Sequence, residues 1–306
     1  MAMAYEGYDL TLKEYLEKRL SLIHKDETVV NKYTRLDPSF IKKIKDIVVT
    51  IRDAHLSGVD HLHLSTETIL LAGDRIKIFG FSHVDNPYRR TPVKAEKDYR
   101  RIVEIIKKEF DGRHRQDKNV EMPLELKYFL EFLHKERFED DMKNIQHHPF
   151  FLGPEARLFY YLDADTSTNY MARKPSWSRQ NFENALTMIP FPREDGIDNW
   201  TDRVHKNVDI SKVYNFNPAG TPSDDYRRTP QGYLRFCKNV AVHMKGKLQR
   251  SVADTSIEVQ KLWPGFQFLL HEAMVEANAH VPNMDDFDKY LHLHRSPRTS
   301  NISTYT

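Results

Sequence analysis

Apolar residues recur at helical spacing through most of this chain, and only one short stretch carries the signature of paired strands. Between Ser39 and Gly58, the residues Ile41, Ile44, Ile47, Val48, Ile51 and Leu56 form one apolar stripe. Ser39 is the expected N-cap of that helix and Gly58 its stop. The same period predicts helices over residues 9–22, 95–110, 123–138 and 263–277. Another starts at Thr229, where an N-cap residue precedes Pro230 at the first helical position, and runs to about Lys245. The strand signal is confined to residues 68–71 and 75–78, which flank Ala72-Gly73-Asp74 as a hairpin turn. Residues 160–182 and 207–228 are polar enough to predict a boundary or loops, with helical pattern resuming near Phe182. The expected class is mainly α.

The chain has 306 residues, which at roughly 150 per domain suggests two domains. Its 17 Phe and 15 Tyr are enough to fill ordinary cores, which excludes a disordered chain. Apolar runs such as Ile47-Val48-Val49 and Ile69-Leu70-Leu71 fall far short of the about 20 residues a membrane span needs. The first residues lack the basic-then-apolar order of a secretory signal. A soluble cytoplasmic or nucleocytoplasmic protein with no membrane partner is expected. Cys237 is the single cysteine, so neither an intramolecular disulfide nor a cysteine-built zinc ribbon is open to this chain. His55, His61, His63 and the pair His147-His148 lack the carboxylates or thiols that would complete a ligand pattern, so no metal is expected. With 46 Lys+Arg against 44 Asp+Glu the net charge is +2, so any surface for nucleic acid must be local.

The segment His61-Leu62-His63-Leu64-Ser65-Thr66-Glu67-Thr68-Ile69-Leu70-Leu71 resembles the catalytic loop of protein kinases, H-R-D-L-K-P-E-N-I-L-L, at matching spacing. Lys77-Ile78-Phe79-Gly80-Phe81-Ser82 is similar to the strand that ends in their D-F-G motif. Phosphoryl transfer needs an Asp base, an Asn and an Asp for magnesium, and a Lys at the phosphate. Those positions here hold His63, Thr68, Gly80 and Ser65. The match starts near the kinase hinge, so the resemblance implies a C-lobe with no N-lobe, no kinase activity and no nucleotide cofactor. Surface uncovered around Ile69 and Phe81 would then favour association.

His148-Pro149-Phe150-Phe151 closes this half, and Pro154-Glu155-Ala156-Arg157-Leu158-Phe159-Tyr160-Tyr161 opens the next. Further on stand Tyr226, a helix ending Lys238-Asn239-Val240-Ala241-Val242-His243, and Trp263-Pro264-Gly265-Phe266-Gln267-Phe268-Leu269-Leu270. In this order the segments resemble the kinase-extension-nuclease (KEN) family of endoribonucleases, which includes RNase L and the inositol-requiring sensor of the unfolded protein response. The resemblance covers about 270 residues and implies a degenerate kinase C-lobe over 1–151 and an all-helical KEN ribonuclease-like domain over 152–294. A polar tail over 295–306 is expected to be frayed and flexible. Two departures stand out: Lys238 replaces the family's Arg, losing its bidentate fork, and the Tyr226-to-Asn239 interval is one residue short.

The chemistry follows from residue types. Asn239 and His243 are four apart on the helix, with Arg235 a turn earlier and Lys238 beside it, while Tyr233, Cys237, Val240 and Met244 fall on a core-like side. Metal-free RNA cleavage by a 2′-hydroxyl needs a base, an acid for the 5′ oxygen, and a cation for the phosphorane. A histidine, ordinarily titrating near 6.5, suits acid or base at neutral pH. The catalytic candidates are therefore Tyr226, Lys238, Asn239 and His243, with Arg235 and Arg227 as RNA-binding candidates. The family resemblance implies RNA as partner, messenger RNA processing or decay as the setting, and a homodimer or a heterodimer with a KEN homologue. The competing expectation is a non-catalytic pseudoenzyme that binds or titrates an active homologue.

Overall fold

The computed structural model describes residues 8–18, 36–57, 59–61, 64–73, 75–83, 92–116, 122–135, 144–171, 179–192, 199–215, 226, 228–247, 250–277, 279 and 282. Side chains are described for these except at 59–61, 81–83, 92–95, 112–116, 169–171 and 244–247. The expected stop at Gly58 and the polar tail lie outside the described residues. Helix dominates, as the apolar spacing requires.

In the first half, strand β1 (Leu10–Thr11) leads into α1, residues 12–18. A reciprocal capping box starts that helix: Glu14 N–H donates to Thr11 Oγ1 (3.2 Å), and Thr11 N–H donates to the Glu14 carboxylate (2.7 Å). The long helix α2 (Pro38–Leu56) is capped by Asp37, whose carboxylate accepts from the backbone amides of Ser39 (2.8 Å) and Phe40 (3.2 Å). Ser39 therefore lies inside the helix and is not its cap. Pro38 at the first position lacks an N–H, which leaves Asp37 to serve the next two amides. The α2 stripe buries Phe40, Ile44, Ile47, Val48 and Ile51, while Leu56, at the last turn, is exposed.

The expected hairpin forms. β3 (Ile69–Ala72) and β4 (Arg75–Ile78) pair antiparallel with Ile69 opposite Ile78, and Gly73 turns the corner at φ +56°. β1 adds to the far side of β3, giving the order β1-β3-β4. A second, two-stranded pair joins β2 (Val59–His61) to β5 (Phe81–His83). Lys43 Nζ, buried on α2, donates to the Gly73 carbonyl (2.8 Å) and ties sheet to helix. Ile69 is fully buried, because β1 and β4 cover both edges of β3 and its side chain enters the core. It contributes nothing to an exposed patch, and the Phe81 side chain lies outside those described. Two helices complete this half, α3 (Pro92–Gln116) and α4 (Leu124–His134), packed against one another.

Short 3-10 turns at Ile145–His147 and Pro149–Phe151 lead into the second half. Here α5 (Pro154–Met171) runs unbroken through the Asp-Thr-Ser-Thr-Asn stretch where a boundary or loop was expected. Its buried Leu158, Phe159, Tyr160, Tyr161 and Ala164 override the polar composition of its last turns. Next come α6 (Arg179–Thr187), α7 (Trp200–Val204) and α8 (Val208–Tyr214). α8 lies where a loop was expected, started by Asn207, whose side chain accepts from the Ile210 amide at 3.2 Å. The chain ends in α9 (Pro230–Lys247), α10 (Val252–Leu262) and α11 (Phe266–Glu276). α5 packs against both α9 and α10. No described helix is long and apolar enough to cross a membrane.

The two halves meet through a buried seam. Arg157 on α5, 2% exposed, pairs with Glu125 on α4 at 2.7 Å and donates to the carbonyls of Pro149 (3.1 Å) and Phe150 (3.2 Å). Glu125 also accepts the Leu36 amide at 2.9 Å. Around this pair, Phe129 stacks on Phe150 (4.6 Å), and the buried His148 ring sits edge-on to His271 of α11 (4.8 Å). The Tyr160 hydroxyl and His271 Nδ1 share a hydrogen bond of 2.9 Å. Gly265 starts α11 at φ +83°, and a Cβ there would collide with the ring of Tyr128 from α4.

Candidate functional site

The helix that carries the candidate residues is built from its cap. Thr229 Oγ1 accepts from the Gly232 amide (3.1 Å), and Pro230 follows as the first helical residue. One side of α9 is core: Tyr233, Phe236, Cys237 and Val240 are fully buried. The Tyr233 hydroxyl donates to the Val259 carbonyl at 2.6 Å, fixing α9 against α10. Burial pushes the Cys237 thiol well above its ordinary range, so it is a packing group and not a nucleophile. The Met244 side chain lies outside those described.

The opposite side carries Arg235 and Val242 exposed, with Lys238, Asn239 and His243 half-buried. Asn239 Nδ2 donates to the Tyr226 hydroxyl at 2.5 Å and so brings the residue preceding the helix onto this face. Tyr226 is 8% exposed. Its ring stacks on Tyr214 from the end of α8 (5.5 Å) and meets Phe236 edge-on (5.4 Å). Burial raises the Tyr214 hydroxyl above its ordinary range, with nearby Arg228 acting the other way. Arg228 itself stands 3.8 Å from Asp202. Lys238 Nζ forms an ion pair with Asp165 of α5 at 2.7 Å.

Of the sequence-derived candidates, Tyr226 and Asn239 are thus joined directly, and Arg235, Lys238 and His243 share their helix face. Arg227 and His63 lie outside the described residues. Asp165 and Tyr214 were not legible, because both sit in segments read as loop. Continuing the helical period from Pro154 through the polar stretch would have placed Asp165 one turn beyond Tyr161, a core residue of α5.

The kinase-like positions show different chemistry. Ser65 and Thr68 form a closed turn: the Ser65 amide donates to Thr68 Oγ1 (2.9 Å), and the Thr68 amide donates to Ser65 Oγ (3.2 Å). Phe79 N–H donates to the Thr68 carbonyl (2.9 Å), which sets Gly80, at φ +88°, just beyond the hairpin. Two hydroxyls engaged with local backbone and one glycine supply no carboxylate for a magnesium ion. Beside this turn, a cleft of about 350 Å³ opens against α3, with Arg101 and Lys108 set among Glu67, Glu104 and Glu109. Its walls carry both signs of charge, two cations and three carboxylates. His55 Nε2 lies 3.2 Å from the Asp98 carboxylate, and His148 Nδ1 accepts the Phe150 amide (3.2 Å). Among the described residues, no group of three or more His, Cys, Asp or Glu is placed to hold a metal ion.

No family model matches the chain, and no curated protein matches it.

Proposed function

We propose that the exposed face of α9, together with Tyr226, is the site of a metal-independent endoribonuclease of the KEN type, carried beside a kinase-like C-lobe that has lost its transfer chemistry. The observation that carries this reading is the Asn239–Tyr226 hydrogen bond, which joins a phenol from the preceding segment to the α9 face that also carries Arg235, Lys238 and His243. The order of segments along the chain and the hairpin at 69–78 support the family assignment.

In this mechanism a ribose 2′-hydroxyl attacks the adjacent phosphorus, the P–O5′ bond breaks, and a 2′,3′-cyclic phosphate forms. The attacking hydroxyl loses one proton and the departing 5′ oxygen gains one. His243 serves one of these transfers, because an imidazole exchanges protons near neutrality. Asn239 holds the Tyr226 hydroxyl at the rim of the site, where it orients the ribose or phosphate. Arg235 opposes the charge that develops on the phosphorane. Lys238 joins it once released from Asp165.

A second reading, a non-catalytic partner of an active homologue, is favoured by one observation: Lys238, in the place of the family's arginine, is already held by a carboxylate. The two readings separate in a cleavage assay. Fluorescent stem-loop RNA is incubated with the protein in EDTA, beside His243→Ala, over a protein-concentration series. Cyclic-phosphate products that vanish in the variant are expected, and a rate steeper than linear in protein would identify a dimer. No cleavage by protein whose circular dichroism shows it folded would refute the nuclease and favour the partner reading.

A further inference from the structure

Resting on the ribonuclease reading, we infer that Asp165 is a specificity-determining residue of the site: an internal anion that occupies Lys238 and has to be displaced before a phosphodiester is held there. The pair is short, 2.7 Å, and lies in a half-buried position, with Lys238 34% and Asp165 17% exposed. Asp165 comes from α5, the helix most closely packed on α9, so the carboxylate is delivered by a rigid element and not by a mobile chain end. A lysine ammonium is a compact point charge, for which a carboxylate oxygen and a phosphate oxygen are near equivalents. A phosphate arriving at Lys238 therefore exchanges one anion for another and gains little.

The exchange also sets the local charge. Asp165 sets a negative charge directly against the Lys238 ammonium. Arg228 repeats the arrangement at the edge of the site, with Asp202 at 3.8 Å. A lone phosphate at Lys238 has only that exchange to gain. A polynucleotide, offering several phosphates at once, can engage Arg235 first and displace Asp165 at high local concentration. The substrate class favoured is a continuous single strand over mononucleotides and short phosphorylated ends.

The test measures binding of a fully 2′-O-methylated single-stranded oligoribonucleotide, which cannot be cleaved, in EDTA from low to physiological salt. The full chain is compared with Asp165→Asn, Lys238→Ala and the double variant. Asp165→Asn is expected to bind about two- to fivefold tighter at low salt. The slope of log affinity against log salt should steepen by about 0.7, the value for one added phosphate contact on a single strand. Both changes should vanish in the Lys238→Ala background. A side chain that only braced α5 against α9 would not steepen the salt slope. Unchanged or weaker binding by folded Asp165→Asn, or the same gain without Lys238, overturns the role of Asp165 and leaves the nuclease reading standing. Binding by none of the four proteins overturns the nuclease reading itself, and this inference with it. Should Asp165→Asn fail to fold, Asp165→Ser replaces it with the same expectations.

Discussion

Removing the Glu125 carboxylate strands a guanidinium in the interior. Arg157 is 2% exposed and Glu125 8%, and they touch at 2.7 Å. Breaking one side of such a buried pair costs about 3–5 kcal/mol, because the surviving charge keeps its desolvation penalty and loses its partner. In Glu125→Leu the Leu36 amide also loses its acceptor, adding about 1 kcal/mol. For a chain of this length about 2 °C of melting temperature accompanies each kcal/mol, so Glu125→Leu should melt roughly 8–12 °C below the parent. Arg157→Met alone should cost a similar amount, since a carboxylate is then buried and the Pro149 and Phe150 carbonyls lose a donor. The double variant removes both charges together. It should recover about 2 kcal/mol or more relative to the sum of the single losses. Calorimetry on the four proteins closes the cycle. Single losses under about 1 kcal/mol, or a double variant whose loss equals the sum, would refute the claim that this pair closes the seam between the halves.

Four further outcomes follow from the same structure. Gly265→Ala should destabilise by about 1–3 kcal/mol in chemical denaturation, since φ +83° strains a side chain and the new Cβ meets Tyr128; wild-type stability would contradict this. Asn239→Ala should abolish cleavage on the nuclease reading while changing stability by only about 1 kcal/mol, checked by melting and RNA assay side by side. Cys237 should resist alkylation in the native protein and react only at the rate of unfolding, followed by mass spectrometry over a denaturant series. Burial raises the hydroxyls of Tyr160, Tyr161 and Tyr233 far above the ordinary tyrosine value. Their contribution is whole below about pH 10 and lost as pH rises beyond it, because the unfolded chain ionises first, so stability should fall steeply above about pH 10 together with the rise of tyrosinate absorbance.

What the sequence made legible was whatever local chemistry decides. Gly73 between two short apolar runs predicts the hairpin, and Thr229-Pro230 predicts the start of α9, because each depends on residues within a turn. The apolar stripes of α2, α3 and α9 fixed their buried sides for the same reason. The failures have a common cause. Residues 160–182 read as a boundary or a loop on composition, yet the helix runs on to Met171, held by packing of Tyr160, Tyr161 and Ala164 against elements far away in sequence. Asp165 could not be assigned to the site without that helix. Asp37 displaced Ser39 as cap because Pro38 shifts which amides need an acceptor, a matter of one residue that periodicity does not resolve.

α5 also joins two places that the segment order alone keeps apart. Arg157 and Asp165 are eight residues from one another on one continuous helix, about 12 Å along its axis. The same helix thus carries both the arginine that closes the seam and the carboxylate that meets Lys238. A substitution that shifts α5 at the seam is therefore felt at Lys238 as well.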